Sequence, residues 1–287
     1  MHASLINWIL LLLLVAMWGT SFLFTSLALE TFEPIFITHI RLVMGAMVLT
    51  LFAYLKGLRL PSNLKSWGIF LLLGFFGNAL PFFLIAWGQQ TVPSGKAGVL
   101  MAVMPMVTLI LAHFWVTGER LNRYKISGVI IGFMGVVLLL NPALQAASSL
   151  LRELAILLAA SCYALNAILV RKLSSFHPVI GGAGMLIGAS LLMLPLFLSQ
   201  TFQFTSPAPL QWFSLIWLGV ISTGVASLVY FFVIVRAGPS FLANINFLVP
   251  VVAFFTGAII LNEAVTLSSL LALVVILSGI VLTRYRV

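Results

Sequence analysis

Eight landmarks in this 287-residue chain occur twice, half a chain apart. Trp18, Pro34, Trp67, Gly74, Pro93, Pro105, Glu119 and Gly135 recur as Tyr163, Pro178, Trp212, Gly219, Pro239, Pro250, Glu263 and Gly279, at shifts of 145, 144, 145, 145, 146, 145, 144 and 144 residues. A near-constant offset means two copies of one structural unit. Both copies are apolar: 62% of residues are hydrophobic, 7% are charged, and the mean hydropathy is +1.22. A soluble domain wets its surface with charge, so the solvent for this chain is lipid. In lipid each backbone polar group must be satisfied within the protein, which predicts an all-α integral membrane fold.

A bilayer core of about 30 Å takes about 20 apolar helical residues. Ten segments qualify: 5–28, 34–55, 66–89, 94–116, 124–141, 151–172, 178–198, 211–235, 240–261 and 267–284. The first is too long for a signal-peptide core and lacks a basic leader, so it is kept as a span. Helices 1–5 form repeat one (1–142) and helices 6–10 repeat two (143–287), with the seam near Asn141-Pro142. Five is odd, so equivalent helices run in opposite directions and the repeats are inverted. With both termini in the cytoplasm, eleven basic residues (Lys56, Arg59, Lys65, Arg120, Arg123, Lys125, Arg171, Lys172, Arg236, Arg284 and Arg286) lie inside. Only Lys96 and Arg152 lie at the outer ends, with Arg41 inside helix 2. This asymmetry sets the orientation. It also explains the net charge of +9 without nucleic acid. The sole cysteine, Cys162, excludes an internal disulfide. Inverted repeats in a membrane place a binding site where the halves meet.

Several stretches carry a family likeness: LLLLVAMWGTSFLFTSLAL in helix 1, EPIFITHIRLVMGAMVLTL in helix 2, the P…GERL block across helices 4 and 5, and GPSFLANINFLVPVVAFFTGAIILNEAVTLSSLLALVVILSGIVL at the end of repeat two. In this order and spacing the chain resembles the EamA-like branch of the drug/metabolite transporter superfamily. The resemblance covers nearly the whole chain. It implies ten transmembrane helices as two inverted five-helix repeats, with helices 1–4 and 6–9 around a central cavity and helices 5 and 10 peripheral. It also implies export of amino acids or other small metabolites across the inner membrane. Repeat two departs from the pattern, with Tyr163 for the tryptophan and Met185 at the position equivalent to Arg41.

Charge inside a membrane costs roughly 2.5–3.5 kcal/mol at a helix centre, so Arg41 is a site candidate. It could hold a substrate carboxylate or clamp an acid such as Glu30 or Glu33. Lys96, at the outer mouth, either draws anions inward or snorkels to headgroups. His39 either titrates or bonds a neighbouring helix. Asn78 and Thr223 are repeat mates in mid-span. Phe82 shares a face with Asn78, and Ser227 and Tyr230 follow Thr223. Trp18 and Tyr163 are also mates, Asn166 follows Tyr163, and Asn246 precedes Pro250. These aromatics and amides either line a cavity for an amphipathic small molecule or glue helices together. The paired prolines Pro105 and Pro250 are hinges or static kinks. Glycines 128, 132, 135, 184 and 188 are packing faces first, with a homodimer seam as the alternative to a monomer.

Aspartate is absent, and no glutamate falls in mid-span. No nucleotide-binding loop, metal cluster or nucleophile–base pair occurs, which argues against a pump, an enzyme and any cofactor. The expectation is a secondary transporter that does not require a proton gradient. Aromatic cations and nucleobases are alternative cargoes. A channel is disfavoured because too few polar residues occur per span to line a pore.

Overall fold

In a computed structural model, residues 5–140, 147–202 and 208–284 are described, and all their regular structure is helical. The seam at Asn141-Pro142 lies outside the described residues. In order the helices are α1 (Leu5–Leu29), α2 (Pro34–Leu55), α3 (Leu64–Gln89), α4 (Ser94–Trp115), α5 (Arg123–Leu140), α6 (Ala147–Leu173), α7 (Pro178–Leu198), α8 (Pro209–Pro239), α9 (Ile245–Ile260) and α10 (Leu267–Thr283). Eight are long and apolar enough to cross a membrane; α9 and α10 are apolar but shorter, at 16 and 17 residues.

Local chemistry sets the boundaries. Proline opens α2 and α7, where a missing N–H costs nothing. Asn63 Oδ1 accepts from Ser66 N at 2.9 Å to start α3, and Thr266 and Ser269 form a capping box at α10. Left-handed Gly57 and Gly118 follow α2 and α4.

Periodicity did not announce two irregularities. The first is a π-helical stretch in α3 (Phe75–Ala79) and another in α8 (Trp217–Val225). In α3, Pro81 cannot donate to Gly77, so the backbone is already one bond short. In α8 the Thr223 hydroxyl donates to Leu218 O at 2.8 Å, bonding a carbonyl within the widened turn. The second is a break in the fourth and ninth segments, at Ala102-Val103 in α4 and at Ala243-Asn244 before α9. Pro105 stands just past the first break, at the start of the Met104–Trp115 half, rather than inside a continuous helix. Pro250 does lie within α9.

Packing between the halves comes in repeat-equivalent twos: α1 on α9 with α6 on α4, α3 on α7 with α8 on α2, and α3 on α6 with α8 on α1. α5 and α10 pair closely through glycine. A methyl group on Gly135 would sit 2.7 Å from Ile276 Cγ1, and one on Gly279 would sit 2.6 Å from Gly128 O. Gly188 similarly admits Phe70 of α3. These glycines are therefore used in packing within the chain. Outward-facing Met47, Leu51, Leu138, Leu196, Phe232 and Ile259 supply the lipid-facing surface.

Candidate functional site

The site is assembled around Arg41, two turns into α2 and 8% exposed. Its Nε donates to Thr223 Oγ1 at 2.8 Å, and that hydroxyl spends its own proton on Leu218 O. The π-helical stretch of α8 thus presents an oxygen lone pair to the guanidinium. Gly45, one turn beyond Arg41, makes the approach possible: a Cβ there would lie 2.6 Å from Thr223 Cγ2. The guanidinium carbon stands 3.9 Å over the Phe82 ring, whose other neighbour is Tyr163 at 6.5 Å, edge-on. Among the described residues Arg41 enters no ion pair; Glu30 accepts from Gln211 instead, at 2.7 Å.

Magnitudes explain how this charge is tolerated without an acid. Insertion costs roughly 2.5–3.5 kcal/mol. A desolvated cation–π contact returns about 2 kcal/mol and a charged hydrogen bond about 1.5–3 kcal/mol. The cost is offset by contacts through Nε and the guanidinium face, and among the described residues Nε makes the one hydrogen bond of Arg41.

Two amides bring the complementary chemistry. Asn78, in the π-helical stretch of α3, and Asn166, one turn after Tyr163 on α6, each hold a buried Oδ1 with no hydrogen-bond partner. They are neighbours, because the Asn166 amide packs on Gly77. An unmet buried acceptor costs about 1–3 kcal/mol, so two of them call for a donor.

Trp18 lies on the other side of the same α8 stretch. Its Nε1 donates to Ser222 O at 3.1 Å, Ser222 Oγ donates to Met17 O at 2.8 Å, and its ring meets Tyr230 at 5.7 Å. Ser227 Oγ returns to Thr223 O at 2.6 Å. Of the sequence-expected residues, Thr223, Phe82 and Tyr163 gather at Arg41, Trp18, Ser227 and Tyr230 are linked along α8, and Asn78 and Asn166 meet at Gly77.

Other candidates lie apart. His39 is buried and stacks on Phe197 at 4.4 Å, with Nδ1 unpartnered. Asn246 is half-buried in the first turn of α9. Lys96 is not a free cation at a mouth: its Nζ lies 2.6 Å from Oε1 of Glu153, a carboxylate only 2% exposed. Nor is Glu263 a bystander at a helix end. Its two oxygens accept from Ser94 N at 2.6 Å and Gly95 N at 2.9 Å, capping α4 from the turn after α9. Sequence reading had no signal for either role, since each partner is remote along the chain.

The EamA-like transporter family model matches twice, over residues 6–141 and 150–285. The chain belongs to the EamA-like transporter family. Among its relatives are two proteins of Bacillus subtilis. The uncharacterized transporter YoaV is 28% identical, with 93% of each chain covered, and the uncharacterized transporter YvbV is 27% identical, with 97% of this chain and 91% of the relative covered. A solved crystal structure shares the fold, with a TM-score of 0.69 at 20% identity over 98% of this chain and 97% of that one. As an EamA-like protein with this helix content, the chain is a multi-pass membrane transporter of small solutes.

Proposed function

We propose that this transporter exports small carboxylate-bearing metabolites, amino acids foremost, across the inner membrane by alternating access. In this reading all ten helices cross the bilayer, with both termini cytoplasmic, and repeats 1–142 and 143–287 are inverted. The double family match and the equivalent helix pairs support it. The observation that carries the substrate class is Arg41, a buried guanidinium with unspent donors and no acid. A substrate carboxylate completes it. The unpartnered oxygens of Asn78 and Asn166 suit an ammonium group, and Phe82, Tyr163 and Trp18 suit an apolar side chain. Aromatic cations fit less well, because the guanidinium repels them. His39, buried against Phe197, is the residue to test for proton coupling.

The test is counterflow in proteoliposomes with no imposed pH difference, using a panel of labelled amino acids, nucleobases, sugars and aromatic cations. Exchange of one or more amino acids is the expected result. Exchange confined to cations or sugars overturns the substrate class. Accumulation driven only by a pH step, and lost in His39→Gln, overturns gradient independence.

A further inference from the structure

Glu263 and Glu119 are repeat mates, 144 residues apart, but they are used differently. Glu263 grips the first amides of α4, at Ser94 and Gly95. The same motif stands on the other side of the repeat. Pro93-Ser94 opens α4, and Pro239-Ser240 opens the helical turn leading into α9. The residue before each glutamate is left-handed, Asn262 at φ 52° and Gly118 at φ 86°. The two glutamate loops are therefore built alike, and Glu263 meets the Pro-Ser helix start of the other repeat. Only one grip is closed. Glu119 is 41% exposed at its side chain and rests on Arg171 at 3.3 Å and Lys125 at 4.0 Å. Positions equivalent to these cations, 26 and 270, carry Ser26 and Leu270, and among the described residues Glu263 enters no ion pair.

We propose that Glu263 and Glu119 are alternating latches, and that Glu119 caps the backbone amides of 240 and 241 in the state opposite to this one. The idea rests on the alternating-access reading above. A carboxylate on first-turn amides is matched to the helix dipole and to donors that lack helical partners. Surface pairs such as Glu119–Arg171 are weakly held and easily surrendered. When Glu263 lets go, the repeat symmetry supplies the same bond at the other end. Arg171 and Lys125 hold Glu119 ready in the meantime.

The test uses spin-label pairs in a Cys162→Ser background: Thr91 with Val265 across the Glu263 latch, and Thr117 with Val235 across the Glu119 latch. None of the four positions is a gripping residue. Glu263→Gln should lengthen the first distance and shorten the second, raising that population about tenfold. Adding Glu119→Gln should keep the first change and abolish the second. Arg171→Ala with Lys125→Ala frees Glu119 without touching α4, and should shift the populations in the same direction even if Glu263→Gln folds poorly. Shortening of the second distance that persists without Glu119 overturns the latch while leaving alternating access standing. If no variant moves the two ends reciprocally, alternating access itself fails.

Discussion

The two ends of the bundle are held by different means. At the end formed by the turns after α1, α3 and α9, direct polar bonds tie helices across the repeats. These are Lys96–Glu153 at 2.6 Å, Glu263 on Ser94 and Gly95, Gln211 Nε2 on Glu30 at 2.7 Å, and Arg152 on Trp87 O and Gln90. Gln89 Nε2 adds bonds to Phe22 O at 2.9 Å and Ser26 Oγ at 3.1 Å. At the end carrying Leu5 and Arg284 the ties among the described residues are fewer and more exposed: Arg236 to Asn7 at 3.4 Å, Arg284 to Asn244 at 2.9 Å and Arg171 to Glu119 at 3.3 Å. One pair of equivalent positions makes the contrast plain. Lys96 pairs with the buried carboxylate of Glu153, while their mates Phe241 and Trp8 form an edge-on aromatic contact at 4.9 Å. One fold can thus close one end on charge and the other on rings, so the repeats share geometry without sharing chemistry. The bundle is clasped at the first end and lightly held at the second.

The largest expected effect comes from breaking the clasped end. Lys96→Ala strands the Glu153 carboxylate, which is 2% exposed, and should cost about 3–5 kcal/mol. Thermal unfolding in detergent reads this as a large fall in Tm, and Lys96→Met with Glu153→Leu should recover most of it. A single variant as stable as wild type would show that the pair contributes nothing to closure.

The central patches come next. Alanine at Trp18, Asn78 or Tyr163 should weaken substrate binding about tenfold with folded yield near wild type, measured as the half-saturating concentration in counterflow. Loss of folded protein in all three would instead make them packing residues. The smallest effect belongs to the lightly held end. Arg171→Ala removes a pair whose partners are 60% and 41% exposed, and should change stability by about 0–1 kcal/mol. A loss equal to that of Lys96→Ala would erase the contrast between the ends.

Much of this was legible in the chain. The expected spans match the observed helices to within a few residues at most ends, because hydropathy and proline or asparagine starts are local signals. Arg41 was conspicuous as charge within an apolar run, and Thr223 was marked as the mate of Asn78. What escaped was non-local. The π-helical turns depend on which carbonyls the tertiary packing frees. Glu153 sits near a helix start in the sequence, yet α4 brings Lys96 against it and the carboxylate is left 2% exposed. Glu263 reads as a helix-end acid until the fold sets it beside Ser94, 169 residues earlier. Of the two alternatives for Arg41, the clamp on an acid such as Glu30 or Glu33 is not seen among the described residues, and Glu30 is engaged by Gln211.

The central claim is that the unspent guanidinium of Arg41 receives the carboxylate of the transported molecule. The most direct measurement is exchange in proteoliposomes of an amino acid and of the matching amine lacking the carboxylate, for wild type and Arg41→Gln, with folding checked by size-exclusion profile and Tm. The account predicts that wild type exchanges the amino acid at least a hundredfold faster than the amine, and that Arg41→Gln loses this preference while remaining folded. Equal exchange of acid and amine by wild type, or an unchanged preference in Arg41→Gln, would contradict it.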